Sequence, residues 1–337
     1  VMHYGDIAAE RQALRTGAGL VDLSDLVTVQ VTGRDRIRFL NGMVTHELAK
    51  LEPGQGNYAL LLNIQGKVVA DLQVYVFPEH LLMVFPAPVH RAGMEMLDRY
   101  LIADKVKFAD RSREVGWLSI QGPEAEDVVK RALELSPPGP LHAHIGITVG
   151  GLEGVLSRED RTGFGGFDLM LPQERLEQVW SALLEAGALP VGQTALDIVR
   201  VESGIPVTGR DLTGFNIPLE AGKAFEERAI SFSKGCYIGQ EVICRVKARG
   251  HVNWMLTGFR IDADVAPGTR LFSTEKDVGW VTSIVESPEL GRIGLGYVHR
   301  NARQIGGKLR TGSSEGPLEV EMQDLPLLPP ESRTPSV

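Results

Sequence analysis

The sequence predicts an α+β protein of two or three domains that ends in a small all-β module. Three observations carry this. The chain has 337 residues, too many for one ordinary core. Helical and strand patterns alternate irregularly and many strands pair with near neighbours, which is α+β rather than doubly wound α/β. From His251 onward the chain is strand and turn without a long helical pattern, as in a small β-barrel or sandwich.

The elements follow in order. Residues 7–15 have the spacing of a short amphipathic helix, closed by a turn at Gly17 and Gly19. Leu26–Thr32 has strand composition, and Gly33-Arg34-Asp35 opens a helix through Asn41. Tyr58–Ile64 and Val68–Phe77 are β-rich runs separated by Gln65-Gly66-Lys67, a hairpin signal. His90–Leu101 sets Met94, Leu97 and Leu101 at helical spacing. Trp117–Gln121 reads as a strand, and Pro123–Leu133 as a helix with proline near its first turn. Ser136-Pro137-Pro138-Gly139-Pro140 is the clearest linker. Then come a β-rich stretch, Gly146–Leu156, a glycine-rich turn at Gly163–Gly166 and a strand, Phe167–Leu171. Glu174–Leu184 is helical, with Gly187 and Pro190 ending it. Thr194-Ala195-Leu196-Asp197 suits a helix start, and Gly204 and Pro206 its stop.

Composition excludes several classes. With 43% hydrophobic residues the chain buries sizeable cores, so wholesale disorder is excluded. A net charge of −8 argues against a nucleic-acid coat, which needs a basic surface. No apolar run reaches membrane-spanning length. The first residues lack a basic-then-apolar secretory pattern, and two cysteines are too few for a disulfide scaffold. A reducing, cytoplasmic compartment is the expectation. No histidine–carboxylate–cysteine group has metal-ligand spacing, and no Walker or dinucleotide fingerprint is present.

The segment Lys234-Gly235-Cys236-Tyr237-Ile238-Gly239-Gln240-Glu241 is the most informative. A nearby cation lowers a thiol pKa, and flanking glycines allow a tight turn or a close approach to a ligand. Cys236 is thus either a reactive, ligand-facing thiol or a structural one. Val242 to His251 alternates with period two. As a strand it sets Val242, Cys244, Val246 and Ala248 on one face, with Cys244 in a core, and Arg245, Lys247, Arg249 and His251 on the other. That cationic face is either a solvated edge or a site for an anionic, carboxylate-bearing ligand. Glu202 falls near a helix C-terminus, where negative charge opposes the macrodipole. It is either a surface ion-pair partner or a carboxylate for a ring edge. Asp71 shares a strand face with Gln73 and Tyr75, either towards solvent or as a general acid or base.

The octapeptide resembles the signature of the YgfZ family, folate-binding proteins of iron–sulfur protein maturation related to the T-protein (aminomethyltransferase) of the glycine cleavage system. Ala195–Gly204 resembles the A-x-D-x-x-R-x-E-x-G stretch of that superfamily, and Asn63 through Asp71 its hairpin N-x-x-G-G-x-x-D-D-L. Ala70 replaces the first aspartate of that pattern. Gly19–Ser24 resembles the family's G-L-F-D-x-S opening, and Arg161–Asp168 a shortened R-T-G-Y-T-G-E-x-G-F-E loop. The resemblance implies a three-domain, cloverleaf-like fold. Residues 1–42 and 139–246 would form a discontinuous folate-binding domain, 43–138 a second lobe, 247–325 the barrel and 326–337 a flexible tail. It implies a tetrahydrofolate pocket contacted by Glu202, Lys234, Tyr237, Gln240 and Arg245, with Cys236 and Asp71 as reactive groups. The function implied is an accessory protein for assembly or repair of iron–sulfur client proteins. The alternative is a folate-dependent aminomethyltransferase or demethylase using Asp71.

Overall fold

The computed structural model describes residues 1–262, 265–312 and 318–329. The first part of the chain runs α1 (Ile7–Thr16), β1 (Gly19–Asp22), β2 (Leu26–Thr32), α2 (Arg36–Met43), β3 (Gly56–Leu62), β4 (Val68–Val76), β5 (Leu81–Pro86), α3 (Ala87–Tyr100) and β6 (Lys107–Asp110). The middle continues as β7 (Val115–Gln121), α4 (Ala125–Leu133), β8 (His144–Val149), β9 (Leu152–Arg158), β10 (Gly166–Pro172), α5 (Leu176–Glu185), β11 (Leu189–Val191) and α6 (Gln193–Glu202). The last part holds α7 (Lys223–Ala229), α8 (Gln240–Arg249), β12 (Trp254–Ile261), β13 (Arg270–Ser273), β14 (Lys276–Ser287), β15 (Gly291–His299), β16 (Lys308–Thr311) and β17 (Glu319–Gln323).

These strands build three units, as expected for a three-lobed α+β protein. One sheet has the order β11-β1-β7-β10-β9-β8, a second has β3-β4-β5-β2-β6, and β12 to β17 close a six-stranded barrel. The first unit is discontinuous. β1 pairs with β7, nearly a hundred residues later, while β2 joins the second sheet. The chain therefore changes sheet between Asp22 and Leu26, and back between Asp110 and Val115. The limits expected for the middle lobe, 43–138, differ from these exchange points. Of the expected tail, residues 330–337 lie outside the described residues. The part before them is docked: Leu327 packs over Gly258, and Leu328 N–H donates to the Glu202 carbonyl at 2.9 Å.

Each unit has its own core. Phe39, Leu61, Met83, Phe85 and Leu97 are buried between the second sheet and its helices, and Phe259, Leu271, Val281 and Met322 fill the barrel. A further cluster joins Tyr58 and Leu60 of β3 to Phe225 of α7, Tyr237 and the barrel residues Leu295 and Tyr297. That junction is where the lobes meet. Among the described residues no helix is long and apolar enough to cross a membrane.

One expectation is corrected here. Residues 242–251 do not form a strand: Gln240–Arg249 is helix α8, entered through Gly239 and left through Gly250, both with positive φ. Ile243 is buried, with Val242 and Val246 half-buried beside it, which is helical rather than alternating spacing. Cys244 is consequently exposed and not a core residue.

Candidate functional site at the lobe junction

The β3–β4 hairpin brings Tyr58 and Asp71 together. In the antiparallel register Tyr58 faces Gln73 and Leu60 faces Asp71, and the Tyr58 hydroxyl donates to Asp71 Oδ2 at 2.9 Å. Both are 8% exposed. Asp71, Gln73 and Tyr75 share one face of β4, as the alternation predicts, but that face points into the molecule and all three are buried. The solvent reading of Asp71 is thereby corrected: the lobe's own helices cover one face of the sheet, and neighbouring segments of the other lobes cover the face that carries Asp71.

Asp71 Oδ1 is buried without a hydrogen-bond partner, as are Thr208 Oγ1 and Arg228 Nε. Arg228, on α7, stacks its guanidinium over the Tyr58 ring at 4.6 Å. Among the described residues it forms no ion pair, although it lies near enough to Asp71 to act on its carboxyl. Burial pushes the Asp71 carboxyl above its ordinary value, against the Tyr58 hydroxyl and the nearby Arg228 charge. Burial and then the Asp71 carboxylate hold the Tyr58 phenol well above its usual range. Free acceptor and donor atoms in a water-excluded junction form an unfilled polar surface, since buried polar groups are normally partnered.

A second network continues along β4. Glu159 is fully buried and accepts from the Tyr75 hydroxyl at 2.8 Å, from His142 Nδ1 at 3.0 Å and, weakly, from Gln73 Nε2 at 3.4 Å. Burial raises its carboxyl, but His142, Arg161 and Arg228 outweigh that and leave it below the usual carboxylate value. Asp168 is fully buried, bonded to Ser119 Oγ at 2.6 Å and forked by Arg161 at 2.5–3.2 Å. Nothing in the sequence alone points to Tyr58, Thr208, Arg228 or Glu159. They come from four separate segments, and no local spacing joins them.

The other expected site residues stand elsewhere. Glu202 is fully buried, but both carboxylate oxygens are taken: Oε1 by Arg11 Nε at 2.8 Å and Ser287 Oγ at 2.6 Å, Oε2 by Arg15 at 3.3 Å. It ties α6 to α1 and the barrel, and the arginines offset its unfavourable position on the helix. These bonds give Glu202 a structural role; it is not among the residues grouped around Asp71. Lys234 is also committed: its ammonium donates to the carbonyls of Asn41 and Val44, both at 2.6 Å, and of His46 at 3.0 Å. An ammonium has three donors, so none is left for a thiolate or a ligand. Burial pulls its pKa down to about 8. Cys236 is exposed on the turn before α8. That turn packs on the hairpin tip; a Cβ on Gly239 would stand 2.6 Å from the Asn63 carbonyl. Asp71 lies five residues up the strand from Gly66, about 16 Å at the usual rise. Tyr237 is buried, its hydroxyl unpartnered. Gln240, half-buried, is the first residue of α8. Arg245 is exposed and paired with Glu241 one helical turn away, rather than in the junction.

Three lobes around a buried, partly unsatisfied polar centre define a multi-lobed α+β protein of the T-protein architecture. The chain belongs to the glycine cleavage T-protein family: the GCVT N-terminal domain matches residues 3–232, and the glycine cleavage T-protein C-terminal barrel domain matches residues 255–328. An aminomethyltransferase of Caldanaerobacter subterraneus subsp. tengcongensis is 31% identical over 334 residues, covering 96% of this chain and 88% of that protein. An aminomethyltransferase of Geobacillus kaustophilus is 34% identical over 315 residues, covering 90% and 85%. The crystal structure of glycine cleavage system aminomethyltransferase T from Bartonella henselae has a TM-score of 0.82 at 22% identity, covering 98% of this chain and 91% of that one. That last likeness is one of fold.

Proposed function

We propose that this protein is a tetrahydrofolate-dependent one-carbon transferase of the aminomethyltransferase type, with Asp71 as its acid–base group. The observation that carries this reading is the state of the carboxylate: buried, fixed by Tyr58 through one oxygen and unpartnered at the other. A carboxyl whose pKa is raised towards the working pH is suited to exchange a proton with a reacting nitrogen. The relatives of 30–34% identity are aminomethyltransferases, which supports the same reading. A bound tetrahydrofolate supplies a nucleophilic nitrogen as one-carbon acceptor. As that nitrogen bonds the transferred carbon, the carbon's bond to the donor would break with its electron pair leaving on the donor, and Asp71 Oδ1 would accept the proton that the nitrogen loses. Tyr58 holds the carboxylate in one orientation. Thr208 Oγ1 and Arg228 Nε offer donors to the polar edge of the ligand, a fit drawn from their unfilled hydrogen bonds.

The test is direct. Protein incubated with tetrahydrofolate and an aminomethyl donor is expected to form methylene-tetrahydrofolate. Asp71→Asn is expected to lower kcat by about 10²–10⁴-fold, the usual worth of positioned general acid–base catalysis. Folate binding without any product from amine donors overturns the reading.

A second reading, an accessory role in iron–sulfur protein maturation as in the YgfZ family, is favoured by one observation. Cys236 is exposed on a glycine-flanked turn that Lys234 pins in place. It predicts that Cys236→Ala abolishes rescue of iron–sulfur enzyme activity in a strain lacking the protein, while folate still binds. Full rescue removes it.

A further inference from the structure

A separate cleft lies at the seam between the two N-terminal sheets. Its volume is about 480 Å³, within the roughly 300–1,000 Å³ of small-molecule sites, which favour such seams. Gln30, Phe77, His80 and Leu82 line it from the second sheet, Ile147 and Val155 from the first. Neither Asp71 nor any residue grouped with it at the lobe junction lines this cleft.

Its chemistry is directional. Leu82, Ile147 and Val155 give a buried aliphatic wall. Phe77 and His80 stack in parallel, 4° apart in plane and 4.6 Å between centroids. Arg111 also lines the cleft, its guanidinium steadied by Gln30 Oε1 at 3.2 Å. It also pairs with Glu114 at 2.5 Å, with both partners half-exposed, so a ligand carboxylate can take the place of Glu114 at little cost in stability. Arg36 stands nearby with its Nε buried and without a partner. Burial, then Arg36 and Arg111, lower the His80 pKa, so its ring is neutral at pH 7 and free to stack. Glu153, on the other wall, is exposed. The cleft thus joins a flat aromatic surface and an aliphatic wall to a guanidinium whose carboxylate partner is exposed and exchangeable. Offset stacking orients a planar ring, and a guanidinium pairs with a carboxylate through two parallel N–H bonds.

We propose that this cleft binds a small planar aromatic carboxylate, its ring between the Phe77–His80 stack and the aliphatic wall and its carboxylate on Arg111. The proposal does not rest on the folate reading. The test titrates the full chain with benzoate by saturation-transfer NMR, with benzamide as the neutral isostere. Benzoate is expected to bind, and benzamide at least tenfold more weakly. Arg111→Gln, a change at a half-exposed side chain that leaves folding intact, is expected to weaken benzoate about tenfold, or about 1.4 kcal/mol. His80→Ala is expected to weaken both probes, and Asp71→Asn neither. No benzoate binding, equal binding of the two probes, or wild-type affinity in Arg111→Gln overturns the proposal. Loss of benzoate binding in Asp71→Asn also overturns it, because the ligand would then sit at the lobe junction.

Discussion

Asp71 is ionised only against its surroundings. Its folded-state pKa is raised, so between about 3.8, the ordinary value, and that raised value the folded protein binds more protons than the unfolded chain. Stability therefore falls as pH rises through that window and stays lowered above it. Asp71→Asn removes the buried charge and is expected to raise Tm at pH 7 while lowering turnover, stability gained where activity is given up. A thermal scan checks this; a lower Tm would show that the bond from Tyr58 to the carboxylate outweighs the penalty of burying it. Tyr58→Phe removes a bond that favours the charged form, so the acid limb of the rate profile is expected to move to higher pH. Glu202 behaves oppositely. Glu202→Gln leaves Arg15 without a carboxylate partner and Arg11 with Glu289 alone, a loss of about 1.5–3 kcal/mol in urea unfolding, the worth of a charged hydrogen bond. Its effect on folate affinity measured by calorimetry is expected to be small, since Arg11, Arg15 and Ser287 already hold the carboxylate. Sequence singled out both carboxylates, Asp71 by strand alternation and Glu202 by its awkward place on a helix. It did not reveal which had spare hydrogen-bonding capacity, because Arg11 and Ser287 lie 191 and 85 residues from Glu202.

At the scale of elements, the signature turn is held by a helix end. The last carbonyls of a helix lack intrahelical donors, and a lysine commonly satisfies them. Lys234 does this for α2 and its following turn, and so fixes the loop that presents Cys236. Lys234→Met is expected to cost about 1.5–3 kcal/mol, the worth of a charged hydrogen bond. It is also expected to speed modification of Cys236 by a disulfide reagent several-fold, with Cys244 little changed; thiol titration with mass spectrometry separates the two. Helix α8 shows why the local pattern misleads. Val242, Cys244 and Val246 fit period two, while Val242, Ile243 and Val246 fit a helical stripe. Over ten residues rich in β-branched side chains both periods fit. The glycines at 239 and 250 were the better signal, since both have positive φ and bound the helix.

Across the whole molecule, Asp211 couples the barrel to the rest. Fully buried, it accepts from Arg200 at 2.9 Å, from Thr282 Oγ1 at 2.5 Å and from Ser283 Oγ at 2.6 Å, the last two on β14. Asp211→Ala leaves Arg200 with Asp197 alone and removes the acceptor of Thr282 and Ser283, and is expected to lower stability by about 1.5–3 kcal/mol. It should also separate two unfolding transitions, because the barrel keeps its own core. Trp254 and Trp280, two of the four tryptophans, report the barrel by fluorescence; a single coincident transition with circular dichroism would contradict this. By itself the sequence determined most elements, the β-rich C-terminal module, the hairpin carrying Asp71 and the turn carrying Cys236. Those are set by short-range periodicity, turn residues and a specific octapeptide. Only the tertiary structure decided that Asp71 is buried beside Tyr58, Thr208 and Arg228, and that Glu202 and Lys234 are committed to packing. Burial and spare hydrogen-bonding capacity depend on which distant segments cover a residue, and spacing along the chain does not encode that.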